Sequence, residues 1–445
     1  MLRWLTPAFG SGSVTADHPV ISLAIAMTIA AIAWFVLLPL MRTLKTPPRH
    51  LLPFMLLLGL VLRGVFFGSD AVYENDYKRY LWDGAVVAVG SDPYHYSPTD
   101  VFDASHVGVS STPDLAKLAV LSNQADYITG EINSPDLTTI YPPAAQGVFA
   151  LAYLIAPFKT WGLAAVFLGF ELLGLIALLA GLRARGQPLI WSALYWLNPV
   201  IIFTTYNMLH MDVLLVAPLL AALLWAGKRP IIGAIMLSLA AAVKIWPLLL
   251  APVLFREWRH RPIIYISVAV LVAVLTALSL LPMLLTLKDN AGLVAYSATW
   301  ENSSFLFRVV EGGLGLFTEY SDKITRIFVA LSLTSMSLWL GFRSPRSSEL
   351  MPVHLLLLAA ALVFLSPTGY PWYFIWFLMF LPFAVHHWSA RGLALLTVGA
   401  TFYFVRFKLG EFEHHTFYRR VLVPLEFGVP LLVLLWDGLK ARRHA

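Results

Sequence analysis

Long apolar runs separated by short polar links make up most of the chain. A helix that crosses a membrane needs about 20 predominantly apolar residues, and runs of that order recur along nearly the whole sequence. They predict an all-α polytopic membrane protein with spans at 20–41, 51–67, 161–182, 188–206, 210–226, 262–285, 324–342, 350–366, 371–386, 394–405 and 421–436.

Two further apolar stretches do not fit a simple span. Residues 142–157 are short, and a crossing there would put Arg183 and Arg185 outside, so we interpret this stretch as an interfacial or re-entrant helix on the outer face. Residues 230–255 lie between two basic links on the same side, which requires an even number of crossings. We therefore expect two short helices that turn near Pro247, giving about 13 crossings in all.

The composition supports a protein solvated largely by lipid. Hydrophobic residues make up 59% of the chain and charged residues only 13%, against roughly 25% charged in soluble proteins. We expect one transmembrane domain over residues 1–445, without a separate soluble domain. Cysteine is absent, which excludes disulfides and thiolate metal sites.

The net charge of +6 marks orientation more than a nucleic-acid partner, because many basic residues lie in short links between spans. The positive-inside rule predicts an outer N-terminus and an inner C-terminus. We expect the protein in the plasma (inner) membrane. Residues 68–141 form the first outer (periplasmic) loop, with eleven acidic residues against three basic ones and an interfacial helix starting at Pro113. Residues 286–320 form the second outer loop.

The densest run of charge and aromatic rings begins at Glu74, in the first outer loop. At spacings of i, i+3 and i+7 on a helix, Asp76, Arg79 and Asp83 share one face, beside Tyr80 and Trp82. A solvated helix surface shows the same pairs, so the spacing alone leaves a site and an ordinary surface open.

Other polar residues are predicted to lie at the same outer level. An ionisable residue inside a span costs about 2.5–3.5 kcal/mol on insertion scales, which makes His210, Asp212 and Lys244 functional candidates. A satisfied ion pair, or for Lys244 a snorkelling side chain, is the structural alternative. The candidate substrate-binding group is completed by Tyr141, Trp300, Glu301, Asn302, Trp372 and Tyr373, and the second outer loop adds Arg308.

Carboxylates beside cations suit a reaction in which a hydroxyl loses its proton while a phosphate leaves. An aspartate is a suitable general base, and Arg, Lys or His stabilises the departing phosphate charge. Nucleotide sugars are scarce outside the membrane, so a donor on that face is expected to be lipid-linked, with its tail in an apolar groove between spans. A divalent metal is the competing use of the carboxylates, but the pattern is weak for zinc and only permissive for magnesium or manganese. No cofactor is therefore favoured.

The run from Asp76 to Gly84, followed by Gly90 and residues 93–98, resembles the D-x-x-R-Y-x-W-D-G … G-x-N-P-Y-x-Y-x-P signature of bacterial polyprenyl-phosphate-sugar-dependent glycosyltransferases. These belong to the GT-C superfamily, which includes alpha-mannosyltransferases and is distantly similar to the catalytic subunit of GPI mannosyltransferase I. Further matches follow in the expected order: Ile132-Asn133-Ser134-Pro135, Thr139-Ile140-Tyr141-Pro142-Pro143, Gln146, Leu197-Asn198-Pro199, His210-x-Asp212, Lys244-x-x-Pro247, Trp300-Glu301-Asn302-Ser303, Ser366-Pro367 and Pro371-Trp372-Tyr373.

This resemblance implies an inverting transfer of a hexose, with mannose expected, from a polyprenyl-phosphate donor to a glycan or lipid acceptor. Members carry an acidic motif early in the first outer loop, and Glu74-Asn75-Asp76 fits its E-x-D form. Asp76 is then the general base and Glu74 its helper. The donor phosphate is expected on Lys244 and Arg79, with His210 and Arg308 as further candidates.

Two other classes of protein remain open at this point. A transporter or flippase of a lipid-linked glycan also needs charges in a helical bundle, although transporters tend to place them near mid-membrane on inverted repeats, and no repeat is evident here. A non-catalytic partner in a glycan-assembly complex is the other alternative, and it would tolerate loss of Asp76.

Overall fold

The computed structural model describes residues 2–9, 18–44, 47–107, 112–125, 127–287, 291–343, 350–408 and 414–443. Within those ranges the chain is helical and has no named strand; one isolated bridge pairs Asn302 with Thr368. Small parts of the predicted outer loops, residues 108–111, 126 and 288–290, lie outside the described ranges.

Five described helices are long and apolar enough to cross a membrane: Val20–Thr43, Thr160–Ala184, Pro262–Leu285, Ser321–Phe342 and Thr416–Arg443. A sixth candidate is the pair Leu189–Trp196 and Pro199–Tyr206, bent by 53° at Leu197 and Asn198. Shorter apolar helices are Leu51–Gly64, Pro143–Ile155, Met211–Trp225, Pro230–Ala241 and Met351–Leu365. The protein is therefore a helical, multi-pass membrane protein, whereas the number of 13 crossings stays a prediction.

Proline accounts for many helix boundaries. Pro143, Pro199, Pro230 and Pro262 each open a helix, where the missing N–H costs nothing because the first N–H groups have no partner within the helix. The predicted span 371–386 is instead divided into Pro371–Phe374, Ile375–Leu378 and Leu381–Ala384, the first and last of them 3₁₀ turns.

The region of the predicted hairpin at Pro247 contains one helix, an irregular segment and a short helical turn, and its two crossings stay a prediction. Helix Pro230–Ala241 ends four residues before the 3₁₀ turn Trp246–Leu250, which leads into Ala251–Leu254. The Ala144 N–H donates to the Ala242 carbonyl at 3.2 Å. This hydrogen bond holds the irregular segment after Ala241 against the first turn of helix Pro143–Ile155. Lys244 therefore lies beside the loop that carries Tyr141.

The first outer loop contains the helices Asp76–Ala88, Pro98–Val107 and Pro113–Ala125. Leu115, Leu118 and Leu121 are buried in the protein, so the apolar face of the third helix is not free to lie on lipid. Helix Asp76–Ala88 packs closely along Pro143–Ile155, since a Cβ on Gly84 would lie 2.3 Å from the Phe149 carbonyl oxygen.

Segments further along the chain complete the wall around the outer end of the bundle. Helix Gly292–Thr299 precedes the amphipathic helix Leu306–Leu314. Towards the C-terminus, Ser389–Gly399 and Thr401–Val405 lead into the 3₁₀ turn Arg406–Lys408, and the last span begins as a π-helix.

Candidate active site

A cavity of about 600 Å³ lies at the N-terminal end of helix Asp76–Ala88. Its volume falls in the range of about 300–1,000 Å³ that is common for ligand pockets. Residues from 73–80, 133–142, 244–246, 292–300 and 370–376 line it, together with Asp212, Tyr403 and Arg406. Segments more than 300 residues apart in sequence therefore form one polar, aromatic-lined chamber.

Asp76 presents its carboxylate to this cavity. It is the first residue of its helix, and 31% of its side chain is exposed. Asn133 Nδ2 donates to Oδ1 at 3.1 Å, and His210 Nδ1 lies 4.0 Å from Oδ2. Burial raises the pKa of Asp76, while Asn133, Lys244 and Arg79 oppose that rise. The result is an accessible carboxylate more basic than an ordinary aspartate.

Glu74 lines the same cavity, two residues before Asp76. Tyr403 Oη donates to its Oε1 at 2.7 Å, and Arg406 Nη2 lies 3.8 Å from that oxygen. The pKa of Glu74 is raised to about 8, chiefly by burial and then by the like charge of Asp76, against the opposing effects of Arg406 and Tyr403. A pKa of about 8 favours the protonated form of Glu74 at neutral pH.

Lys244 and Asp212 form an ion pair on the cavity wall. Lys244 Nζ donates to Asp212 Oδ1 at 2.7 Å, and Trp376 Nε1 donates to the same oxygen at 2.6 Å. The ammonium also lies 4.5 Å from the centre of the Tyr373 ring, within cation–π range. These contacts fix the cation in place while 20% of its side chain stays exposed.

Arg79 is the second predicted phosphate ligand that lines the cavity. Its Nη2 donates to the carbonyls of Ser134 and Leu137 at 3.1 and 2.9 Å, which ties helix Asp76–Ala88 to the loop before Tyr141. Ser134 has a positive φ of 49°, and this bend lies in the loop that supplies Asn133 to Asp76 and accepts the hydrogen bonds of Arg79.

Two groups of stacked rings stand behind the charged residues. In one, Trp372 is stacked on His210 at 3.6 Å and on Tyr370 at 4.3 Å between ring centres. In the other, Trp376 is stacked on Tyr373 at 4.1 Å and on Trp246 at 5.0 Å. Aromatic rings with few rotatable bonds make rigid supports, and each group ends beside a charged residue, Asp76 or Lys244.

Ten of the predicted site residues line the cavity: Glu74, Asp76, Arg79, Tyr80, Tyr141, Asp212, Lys244, Trp300, Trp372 and Tyr373. The other six lie outside its wall: Trp82, Asp83, His210, Glu301, Asn302 and Arg308. Trp82 is buried in the core. Asp83 accepts a hydrogen bond from Gln146 Nε2 at 3.0 Å, and it is buried.

Three of these outlying residues form contacts near the second outer loop. Arg308 lies 3.6 Å from Glu301 Oε1, and Ser304 donates to the same carboxylate oxygen at 2.8 Å. Asn302 accepts a hydrogen bond from Arg406 Nη1 at 3.0 Å. Asn302 thus contacts a residue of the cavity wall, Arg406, and none of the three predicted residues is part of the lining.

Several residues that line the cavity are not among the predicted site residues, including Asn133, Tyr296, Tyr370, Tyr403 and Arg406. Asn133 belongs to the Ile132-Asn133-Ser134-Pro135 motif, and Tyr370 directly precedes Pro371-Trp372-Tyr373, so the sequence carried a signal for both. Arg406 directly follows the predicted span 394–405, and a cation at the end of a span is usually interpreted as a membrane anchor. Nothing in the sequence places it beside Glu74.

Metal binding has no preformed site in the part of the chain that the structure describes. There, no three His, Asp or Glu side chains come together in an arrangement that could hold an ion. Lys244, Arg79 and Arg406 are the cations that line the cavity.

Comparison with known families gives one match. The model of "Glycosyltransferase family 87" matches residues 140–367, just over half of the chain. No curated protein and no solved structure matches significantly. The matched stretch contains Tyr141, Asp212, Lys244 and Trp300; Asp76 precedes it and Trp372 follows it.

Proposed function

Because the chain belongs to glycosyltransferase family 87, a family of membrane glycosyltransferases, we propose that it moves a sugar from a polyprenyl monophosphate to an acceptor hydroxyl in the cavity beside Asp76. The observation that carries this proposal is that an accessible carboxylate, cations and aromatic rings line one cavity. The carboxylate suits base catalysis, the cations suit departure of the phosphate, and the aromatic rings suit binding of the sugar.

Asp76 acts as the general base. Its carboxylate faces the cavity. Its raised pKa makes it a stronger base towards the acceptor hydroxyl than an ordinary aspartate. Glu74 is its helper: its protonated form is favoured at neutral pH, so it adds little negative charge beside the base. Asp76 lies before the stretch that the family model matches, so its role rests on geometry and on the E-x-D resemblance.

The reaction is a single displacement with inversion. The acceptor oxygen forms a bond to the anomeric carbon while its proton passes to Asp76. The bond between that carbon and the phosphate oxygen breaks, and its electron pair leaves with polyprenyl phosphate. Lys244 and Arg79 lie where they can offset the charge that the phosphate gains, in a site partly shielded from water. No metal is required for this step.

The finer features of the proposal follow from the sequence. Mannose is the proposed sugar, as in the alpha-mannosyltransferases and the distantly similar GPI mannosyltransferase I, and a glycan or lipid is the acceptor. The chain has about 13 crossings, an outer N-terminus and an inner C-terminus in the plasma (inner) membrane. The cavity then opens on the periplasmic face, and 68–141 and 286–320 are the outer loops of one domain over residues 1–445.

The test is transfer from synthetic polyprenyl-phosphate mannose by purified protein in nanodiscs, with and without EDTA. Asp76→Asn keeps the size of the side chain and the contact with Asn133 but cannot take the proton. We expect it to fold with the wild-type unfolding temperature and to lose about 10²–10⁴-fold in rate, the usual contribution of a general base.

Equal transfer by Asp76→Asn would remove Asp76 as base, and loss of transfer with EDTA would show that a metal is needed. If a panel of lipid-phosphate sugars is neither consumed nor bound by the wild type, the transferase proposal fails. Movement of a lipid-linked glycan across the bilayer would then be measured instead.

A further inference from the structure

His210 lies behind the base and not on the cavity wall. The cavity lining includes Asp76 but not His210, and only 2% of His210 is exposed. Its Nδ1 lies 4.0 Å from Asp76 Oδ2. A phosphate that enters the chamber meets the Asp76 carboxylate before it reaches this imidazole, which argues against His210 as a phosphate ligand.

The surroundings of His210 fix the ring in one orientation. Its plane lies 10° from that of Trp372, at 3.6 Å between ring centres. Tyr370 is stacked on the same indole at 4.3 Å and 10°. Two near-parallel rings this close to one indole must occupy its opposite faces, so Trp372 is held between Tyr370 and His210.

The backbone before His210 adopts a conformation that side chains rarely take. Leu209 has a φ of 58°, which costs a non-glycine residue on the order of 1–3 kcal/mol and often marks a functional constraint. This bend follows helix Pro199–Tyr206 directly, and the His210 N–H donates to the Thr204 carbonyl at 3.0 Å. The imidazole beside Asp76 thus follows directly on a strained residue.

The two oxygens of Asp76 are held unequally. Oδ1 accepts a hydrogen bond from Asn133, whereas the nearest cation-forming side chain to Oδ2 is His210, at a distance slightly too long for a hydrogen bond. Catalytic hydrogen bonds are often long in the absence of substrate and tighten in its complex. A contraction of about 1 Å would fix both oxygens.

We infer that His210 is a positioning residue for Asp76, which orients the carboxylate oxygen Oδ2 and does not bind the donor phosphate. The inference rests on the proposed function. It predicts that loss of the imidazole affects the chemical step and the pKa of Asp76 but not donor affinity.

The kinetic test compares His210→Leu and His210→Gln with the wild type, using polyprenyl-phosphate mannose. His210→Leu is expected to lower kcat about 10- to 100-fold, the effect of a misplaced catalytic group, with an unchanged donor KM. His210→Gln keeps an N–H donor and is expected to recover most of kcat. His387→Gln is the matched control, since His387 bonds Ser389 and does not line the cavity. A raised donor KM with unchanged kcat, or no change in either constant, would overturn the inference.

A second measurement does not depend on turnover. The infrared carboxyl band that Asp76→Asn removes reports the protonation of Asp76 as pH is varied. Loss of a donor to a carboxylate raises its pKa. With polyprenyl phosphate bound, where the contact is expected to contract, the band should titrate at higher pH in His210→Leu than in the wild type, with His210→Gln between them. An unchanged titration would contradict the positioning role. If the wild type transfers no sugar, the proposed function fails, and this band still decides the role of His210.

Discussion

Two ion pairs inside this protein have similar chemistry and different surroundings. Arg63 and Glu171 are fully buried, with Nη2 and Oε1 2.5 Å apart, whereas Lys244 and Asp212 form their pair on the cavity wall. The first pair joins helix Leu51–Gly64 to Thr160–Ala184. The second joins the irregular segment after helix Pro230–Ala241, which contains Lys244, to the turn after His210, which contains Asp212.

The buried pair is closed by further hydrogen bonds. Glu171 accepts from Tyr195 and Tyr206 as well as from two nitrogens of Arg63. The third nitrogen, Nη1, donates to the carbonyls of Gly59 and Trp196. Every charged atom of the pair therefore has a protein partner, and no part of it is left to bind a substrate.

The cavity pair is open by comparison. Within the described residues, Lys244 Nζ donates to Asp212 alone, although an ammonium has three N–H donors. Its exposed face lies in the chamber. An incoming phosphate can thus bind Lys244 while Asp212 and Trp376 keep it in place. We infer that a closed pair holds helices together and an open pair serves the reaction.

The largest expected effect is the loss of stability in Arg63→Met. This substitution leaves the Glu171 carboxylate buried without its cation, and breaking a buried pair in this way costs about 3–5 kcal/mol. Thermal unfolding in detergent should show a much lower midpoint. The double variant Arg63→Met/Glu171→Met removes both charges and should recover much of the loss. A single variant as stable as the wild type would show that the closed pair does not hold these helices.

Lys244→Met is expected to affect activity more than stability. Asp212 keeps the hydrogen bond from Trp376 and lies on the cavity wall, not in the core, so the midpoint should fall by less than in Arg63→Met. Transfer should fall about 10²–10³-fold, as when one donor to developing charge is removed. Lys228→Gln, in an exposed link, controls for loss of a lysine. Normal transfer with a large loss of stability would reverse the assignment of the two pairs.

The sequence singled out Lys244 and Asp212 as separate site candidates without pairing them, and it missed the Arg63–Glu171 pair. Lys244 and Asp212 stood out as ionisable residues in predicted apolar stretches, at the level of the outer loops. Arg63 and Glu171 lie within spans 51–67 and 161–182 and were not selected, although an ionisable residue there needs a partner just as much. Their pairing joins positions 108 residues apart, and only the packing of the helices shows it.

Helix positions were easier to predict than the inner wall of the site. Apolar runs located Thr160–Ala184 and Pro262–Leu285 closely, because spans must be long and apolar. Which aromatic rings face the cavity depends on tertiary packing, so Tyr296 and Tyr403 carried no signal. The bend at Leu209 was also unforeseen, since leucine gives no hint of a positive φ.

The smallest expected effect is that of the Glu74 proton on the free energy of unfolding. Glu74 lines the same cavity as the open Lys244–Asp212 pair. Its pKa of about 8 exceeds the ordinary value of 4.5. Between these values the folded chain keeps a proton that the unfolded chain has lost. The free energy of unfolding contributed by this group is therefore fully present below pH 4.5 and is lost as pH rises through 8.

Glu74→Gln cannot lose that proton and should remove this part of the pH dependence. We expect the wild-type unfolding midpoint to fall relative to that of Glu74→Gln as pH rises from about 5 to 9. Glu319→Gln, an exposed position, should run parallel to the wild type. Parallel curves for Glu74→Gln as well would mean that Arg406 and Tyr403 keep the carboxylate ionised. Glu74 would then carry a full negative charge beside Asp76, and its role as a neutral helper of the base would be excluded.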